Sequence, residues 1–212
     1  MPLYEFLQRR KPRFLAYQIK KLIVPGCQTL LDVGCGENSV VQFFNNNLEK
    51  SVGVDLFEKS IKKAKHRGIH NLYIKGNVLD INKFFKPGSF DCVISIDVIE
   101  HLEKNQALEL IKKMERIAKK SVVIQTTNGY LKQGPEGGNE YQIHKCGFTA
   151  SEFRKLGYKV VGMDGPRFLR GECAKIIFKP KILFSIMANL LDLVYRFFPE
   201  ASFNLLAYKW IS

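Results

Sequence analysis

The chain has 212 residues, of which 46% are apolar and 25% charged. That length and balance fit one globular domain with decoration, and exclude a disordered chain, a collagen-like repeat and a polytopic membrane protein. The outlying quantity is charge: 33 Lys and Arg against 20 Asp and Glu give +13, which points to an anionic partner such as nucleic acid, a lipid surface or an acidic substrate.

In chain order, residues 14–24 read as a helix. Residues 29–33 form an apolar strand that ends at Gly34. Residues 38–48 read as a helix with Val41, Phe44 and Leu48 on one stripe. A strand over 51–55, a basic helix over 58–67 and a strand over 71–75 follow. Residues 90–96 are almost wholly apolar, as expected of a strand buried on both faces. A helix over 103–118 and a strand over 121–126 complete the alternation. Strands alternating with helices predict a parallel sheet.

The second half has another texture. Residues 128–147 are rich in Gly, Asn, Gln and Pro and read as a long loop, a length that is usually functional in compact domains. Thr149 and Glu152 have capping-box spacing. Strands are expected over 158–163 and 173–179. In residues 181–212, Ser185, Asn189, Asp192 and Arg196 make one narrow polar stripe on an otherwise apolar helix. Such a helix is buried, covers a pocket, or lies in a membrane interface. A second short helix is expected over 201–210.

Five cysteines stand at 27, 35, 92, 146 and 173, without zinc or redox spacing. They read as reduced thiols of a cytoplasmic protein. The basic start is followed by no apolar stretch of signal-peptide length, so no secretory signal is expected.

The strongest chemical signal is Leu30-Leu31-Asp32-Val33-Gly34-Cys35-Gly36, a strand running into a glycine turn. Glycines there let a backbone approach a bound nucleotide closely. Asp55 ends the next strand, where a carboxylate can accept both ribose hydroxyls. The third glycine of a dinucleotide fingerprint is missing, since position 39 is Ser. A phosphate-free nucleoside suits the loop better than NAD.

Over roughly residues 14 to 180 the sequence resembles the class I S-adenosylmethionine-dependent methyltransferases. Asp32-Val33-Gly34-Cys35-Gly36 looks like the first family motif, which borders the methionine part of the cofactor. Val52-Gly53-Val54-Asp55, followed by Leu56, is similar to the second, whose acidic residue holds the ribose. Gly76-Asn77-Val78 is similar to the third, where an Asp commonly receives the adenine amino group; here the residue is Asn77. Residues 90–102, with Ile96 and Asp97, look like the fourth, beside the cofactor's amino acid end.

The resemblance implies a doubly wound, Rossmann-like sheet of seven mostly parallel strands. The last strand is antiparallel and helices cover both faces. Residues 1–180 would form the methyltransferase domain and 181–212 a C-terminal helical extension acting as lid, dimer contact or membrane-surface contact. It implies S-adenosyl-L-methionine as cofactor, with S-adenosyl-L-homocysteine as product. The cofactor-binding residues would be Asp32, Gly34, Cys35, Gly36, Asp55, Leu56, Asn77, Val78, Ile96 and Asp97.

An oxygen nucleophile usually needs a base. His144, in the long loop, is the first candidate and His101 the second. Asp97, Glu100 and His101 resemble the metal-binding cluster of some quinone-biosynthesis O-methyltransferases. Glu-His-Leu after this strand is also common in metal-free relatives, and the site is read without a metal. Arg167 and Arg170 are candidates for holding an acidic substrate group. The expected acceptor is a small molecule or lipid-linked, with RNA methylation on the basic surface as the alternative. The expected assembly is a monomer or homodimer, with peripheral membrane contact left open.

Overall fold

The computed structural model describes residues 3–23, 26–135 and 140–211, with side chains from residue 12 onward except that of Ile23. The elements in order are α1 (Leu3–Ile23), β1 (Thr29–Val33), β2 (Lys50–Asp55), α2 (Glu58–His66), β3 (Leu72–Lys75), α3 (Ile81–Phe84), β4 (Phe90–Ile96), α4 (Lys104–Ile117), β5 (Ala118–Thr127), α5 (Ala150–Lys155), β6 (Lys159–Pro166), α6 (Lys181–Tyr195) and β7 (Ser202–Trp210). Seven strands make one sheet in the order β3-β2-β1-β4-β5-β7-β6. β1 runs parallel to both β2 and β4, with Leu31 in register with Val52 and Val93. β3 extends the parallel set beyond β2, and the last strands are antiparallel. This is the expected Rossmann-like sheet.

Three local expectations are corrected. Residues 38–48 are not a helix but two short 3-10 turns, Val40–Phe43 and Asn45–Asn47. Ser39 caps the first by accepting the Val41 N–H, and three consecutive asparagines favour turn over helix. Residues 173–179 are not a strand: a 3-10 turn at Glu172–Ala174 precedes a single antiparallel bridge, Arg170 to Ile176. Cys173 and Ala174 take left-handed backbone angles there, which a strand cannot accommodate. Residues 202–210 are not a helix but β7, so the segment past residue 180 supplies a strand to the sheet. α1 also starts well before residue 14 and carries Pro12 inside it. Residue 24, expected in that helix, lies outside the described residues, as do residues 136–139 of the long loop.

By internal contact the chain divides into two compact units. The first comprises residues 12–98, 105–124 and 208–212. Its core holds Leu30, Leu31, Val33, Val54, Ile94 and Leu110, each fully buried. Burying one such side chain stabilises by roughly 1.5–3 kcal/mol. The second comprises residues 1–11, 99–104 and 125–207. Phe148 and Phe153 are fully buried in it, with ring centroids 5.3 Å apart. The Thr149 capping box is present: Glu152 accepts the Thr149 N–H while Thr149 Oγ1 accepts the Glu152 N–H.

Candidate active site

In the first unit, the glycine turn is bound to the ends of the neighbouring strands. The N–H groups of Gly34 and Cys35 both donate to the Val54 carbonyl, at 2.8 and 3.0 Å. Gly36 N–H donates to Asp55 Oδ2 at 2.8 Å, and Phe57 N–H to Asp55 Oδ1 at 2.7 Å. Both carboxylate oxygens are thereby oriented at the end of β2. Gly76 N–H, past β3, donates to the Asp55 carbonyl at 3.0 Å. Val98, past β4, lies against Gly34, where an added Cβ would stand 2.3 Å from its methyl group. The turn, Asp55 and the ends of β2, β3 and β4 therefore meet at the carboxyl edge of the parallel strands, the edge where open α/β sheets bind ligands.

Gly34 and Gly36 both have positive φ, at 78° and 57°. A Cβ on Gly36 would meet nothing within 4 Å. The turn opens there onto space that another molecule's atoms can enter. Burial pushes the Asp55 carboxyl up from its ordinary value against the opposing Phe57 and Gly36 N–H groups, with Asp32 adding to the rise. Leu56 beside it is exposed. Asn77 Oδ1 accepts the Leu79 N–H at 2.9 Å, capping the turn that begins at Val78. Ile96 is half-buried, and Asp97 is exposed with a φ of 53°. Left-handed backbone on a non-glycine residue stores strain of order 1 kcal/mol and clusters at functional sites.

Asp32 stands apart from this open edge. It is 2% exposed. Its Oδ2 accepts the Ser39 hydroxyl at 2.5 Å and lies 3.1 Å from His70 Nε2, which is also buried. A buried carboxylate must be paired or it neutralises, so Ser39 and His70 are what permit Asp32 inside β1. Sequence reasoning missed both partners. Cys35 is buried as well; burial raises its thiol and the neighbouring Asp32 and Asp55 add to it, so it packs as an inert neutral thiol.

Residues 31–124 match the family model described as a methyltransferase domain. Over that segment the chain is similar to the methyltransferase-domain family, and its sheet has the class I methyltransferase fold. It is 28% identical over 141 residues to an uncharacterized protein of Methanocaldococcus jannaschii, a match covering 66% of this chain and 59% of that relative's length. A solved SAM-dependent methyltransferase from Archaeoglobus fulgidus is similar with a TM-score of 0.61 at 18% identity, covering 98% of this chain and 99% of that one. Magnesium protoporphyrin IX methyltransferase of Synechocystis, solved with bound SAM, is similar at a TM-score of 0.57 and 15% identity, over 97% of this chain and 79% of that one. At these identities the structural likeness speaks for the fold.

The second unit brings His101 and His144 together, with ring centroids 5.0 Å apart. His101 Nδ1 lies 3.3 Å from the Ile143 carbonyl and His144 Nδ1 2.7 Å from the Leu131 carbonyl. A carbonyl only accepts, so each ring carries its proton on Nδ1 and, when neutral, its lone pair on Nε2. Burial lowers the His144 pKa, opposed by the Leu131 carbonyl and Glu172. The loop that carries His144 is latched to the turn that carries His101. Lys145 and Cys146 N–H both donate to the Glu100 carbonyl, at 2.8 and 3.2 Å, and Cys146 Sγ donates to the Ile99 carbonyl. Gly147 fixes the next step: an added Cβ would stand 2.2 Å from the backbone of Gly129 and Tyr130.

The same unit contains an open hollow of about 500 Å³ lined by Leu131, Arg167, Phe168, Ile177 and Tyr195, with Arg170 at its wall. The two arginines differ. Arg170 is buried and donates to the carbonyls of Asp164 and Ala174, so it holds the surrounding loop. Arg167 is exposed, with one guanidinium nitrogen on the Tyr130 carbonyl. Among the described residues, no helix is long and apolar enough to cross a membrane.

Proposed function

We propose that this chain transfers a methyl group from S-adenosyl-L-methionine to an oxygen of a small-molecule or lipid-linked acceptor, releasing S-adenosyl-L-homocysteine. The observation that carries the cofactor half is the Asp55 clamp: a carboxylate oriented by two backbone N–H groups beside a glycine turn that opens onto space. When bound, the cofactor supplies a methyl group already activated on a sulfonium. Asp55 accepts the ribose hydroxyls, and exposed Leu56 gives the adenine ring an apolar flank. Asn77 Oδ1 keeps a second lone pair for the adenine amino group. Gly34 and Gly36 admit the methionine portion, Cys35 and Asp32 hold the turn beneath it, and Val78, Ile96 and Asp97 complete the edge. His144, supported by His101, accepts a hydrogen bond from the acceptor hydroxyl through Nε2 and takes its proton.

A lipid-linked acceptor is supported by the surface of α6. Leu183, Leu190, Leu193, Val194 and Phe197 are exposed on it or just past it, and Lys175, Lys179 and Lys181 are exposed beside its start. An apolar face edged by lysines suits an anionic bilayer surface.

The Asp55→Ala variant tests the cofactor half by calorimetry with S-adenosylhomocysteine. Hydrogen bonds to a charged group contribute about 1.5–3 kcal/mol, so affinity should fall roughly 10- to 100-fold while the far-ultraviolet dichroism stays native. Unchanged affinity would mean the ribose lies elsewhere. Cell extract methylated with labelled cofactor and fractionated into lipid, polar metabolites and RNA tests the acceptor. Label in the first two fractions supports the reading, and label confined to RNA overturns it. Flotation with anionic vesicles, lost in the Leu190→Glu and Phe197→Glu variants, supports the lipid surface; a wild-type chain that stays at the bottom of the gradient rejects it.

A further inference from the structure

Glu100 has no part in the cradle and no part in proton transfer, yet it sits 1% exposed beside the two histidines. Among the described residues, one ligand atom from each of Glu100, His101 and His144 lies within 4.8 Å of the others. Asp97 does not belong to this group. We infer that Glu100, His101 and His144 bind a divalent transition-metal ion.

Three features make this a prepared site. First, the imidazoles are already in the required tautomer. Each Nδ1–H is held by a backbone carbonyl, of Ile143 and of Leu131, which in the neutral ring puts the lone pair on Nε2. A metal-ligating histidine almost always has its other nitrogen held in this way. Second, the carboxylate is oriented from behind: Thr126 Oγ1 donates to Glu100 Oε2 at 2.9 Å. Third, the segments carrying the ligands are latched to each other through the Glu100 and Ile99 carbonyls, so His144 is placed by backbone contacts as well as by its own bond to the Leu131 carbonyl. Ligand atoms about 2.1 Å from an ion stand roughly 3–3.5 Å apart, and small side-chain rotations close the present spacing to that range.

The donor set names the ion. Two imidazole nitrogens and one carboxylate suit zinc, iron, cobalt, nickel or manganese; magnesium and calcium favour oxygen ligands throughout. Three protein ligands on one side leave further coordination positions for oxygen donors. If the methyl-transfer reading holds, those positions take the acceptor's oxygen; His144 Nε2, once on the ion, no longer serves as the base, and the ion lowers the pKa of the acceptor hydroxyl in its place.

The test uses the tag-free full-length chain, stripped with a chelator and titrated with cobalt(II). One equivalent should bind and give visible d–d absorption, and zinc should displace it. Glu100→Gln keeps an oxygen to accept the Thr126 hydroxyl, and His144→Asn keeps an N–H for the Leu131 carbonyl, so both variants should fold. Each should bind cobalt on the order of 100-fold more weakly, and zinc should raise the melting temperature of the wild type and not of the variants. Thr126→Val provides a variant outside the ligand set, expected to bind about 10-fold more weakly. No binding by the wild type at millimolar cobalt, or undiminished binding by the Glu100→Gln and His144→Asn variants, overturns the inference. S-adenosylhomocysteine binding in the same preparations separates the two readings. A chain that binds it and rejects the metal refutes this site alone. A chain that binds the metal and not S-adenosylhomocysteine supports this site and refutes the cofactor reading.

Discussion

Helices α4 and α6 have nearly opposite relations to their surroundings. α4 is polar on average and buries its apolar stripe: Ala107, Leu110, Ile111, Met114 and Ile117 are all buried. α6 is apolar on average and buries Ser185, Ala188 and Asp192, while Leu190 is 65% exposed and Phe197, past its end, 77%. The cause lies in β6. Gly162 and Gly165 let the backbone of α6 lie directly on the strand: a Cβ on Gly162 would stand 2.2 Å from the Tyr195 carbonyl, and one on Gly165 2.5 Å from that of Ala188. Small residues and one carboxylate lie against that strand, Phe184 and Met187 pack half-buried against Leu169, Ile176 and Ala188, and other large apolar residues point outward. An apolar helix is therefore not evidence of a core helix. What decides is the width of the seat it occupies.

The largest test of this contrast is in α4. Leu110→Ala leaves a cavity in a fully buried site and should cost about 2–5 kcal/mol in chemical denaturation. A cost below 1 kcal/mol would mean that the α4 stripe is loosely held. Next is the seat of α6. Gly165 has a φ of 72° as well as the close carbonyl, so Gly165→Ala adds backbone strain to a clash and should cost roughly 1–3 kcal/mol. A neutral result would show that α6 can lift from β6 at little cost.

Asp192 sharpens the comparison through pH. Its Oδ1 accepts the Gly165 N–H at 2.9 Å. Burial raises its pKa, the Gly165 N–H opposes, Asp164 adds to the rise, and Arg196 and Arg170 lower it. The native chain therefore holds this proton more tightly than the unfolded chain. Where the native state binds more protons, stability falls as pH rises. The contribution is full below the unfolded carboxylate value and is lost as pH climbs through the raised native one. Asp192→Asn keeps an acceptor for Gly165 and cannot ionise. It should match the wild type in acid and be the more stable of the two at neutral pH. Parallel stability curves for the two proteins would remove the buried charge from the account.

The sheet and the glycine turn were legible because their signals are local. Leu30 to Gly36 combines an apolar strand with two glycines that need positive φ, and Asp55 closes the next strand. Residues 202–210 misled for a physical reason. Ser202 to Ala207 are all buried, so the two-residue alternation that marks a half-exposed strand is absent, and an apolar run then reads equally as helix. The histidine pair was legible only as two separate candidates, since the latch between them is made by main-chain groups. His70 left one usable trace: Asp32 lies inside a strand that reads as buried on both sides, and a carboxylate there requires a partner. The sequence does not say which residue that partner is.

The smallest expected effect is the one that isolates α6. Leu190→Ala removes a large apolar side chain from the outer face of the helix, and Ala is the better helix former by a few tenths of a kcal/mol at most. With the side chain 65% exposed, little buried area is lost, so stability in dilute solution should stay within about 0.5 kcal/mol of the wild type. The same substitution type costs several-fold more at Leu110, so a single denaturation series holds both ends of the comparison. A Leu190→Ala cost as large as that of Leu110→Ala would require that face to be covered in solution, and repeating the measurement across protein concentrations would show whether a second copy covers it: a cost that shrinks on dilution is one carried by association.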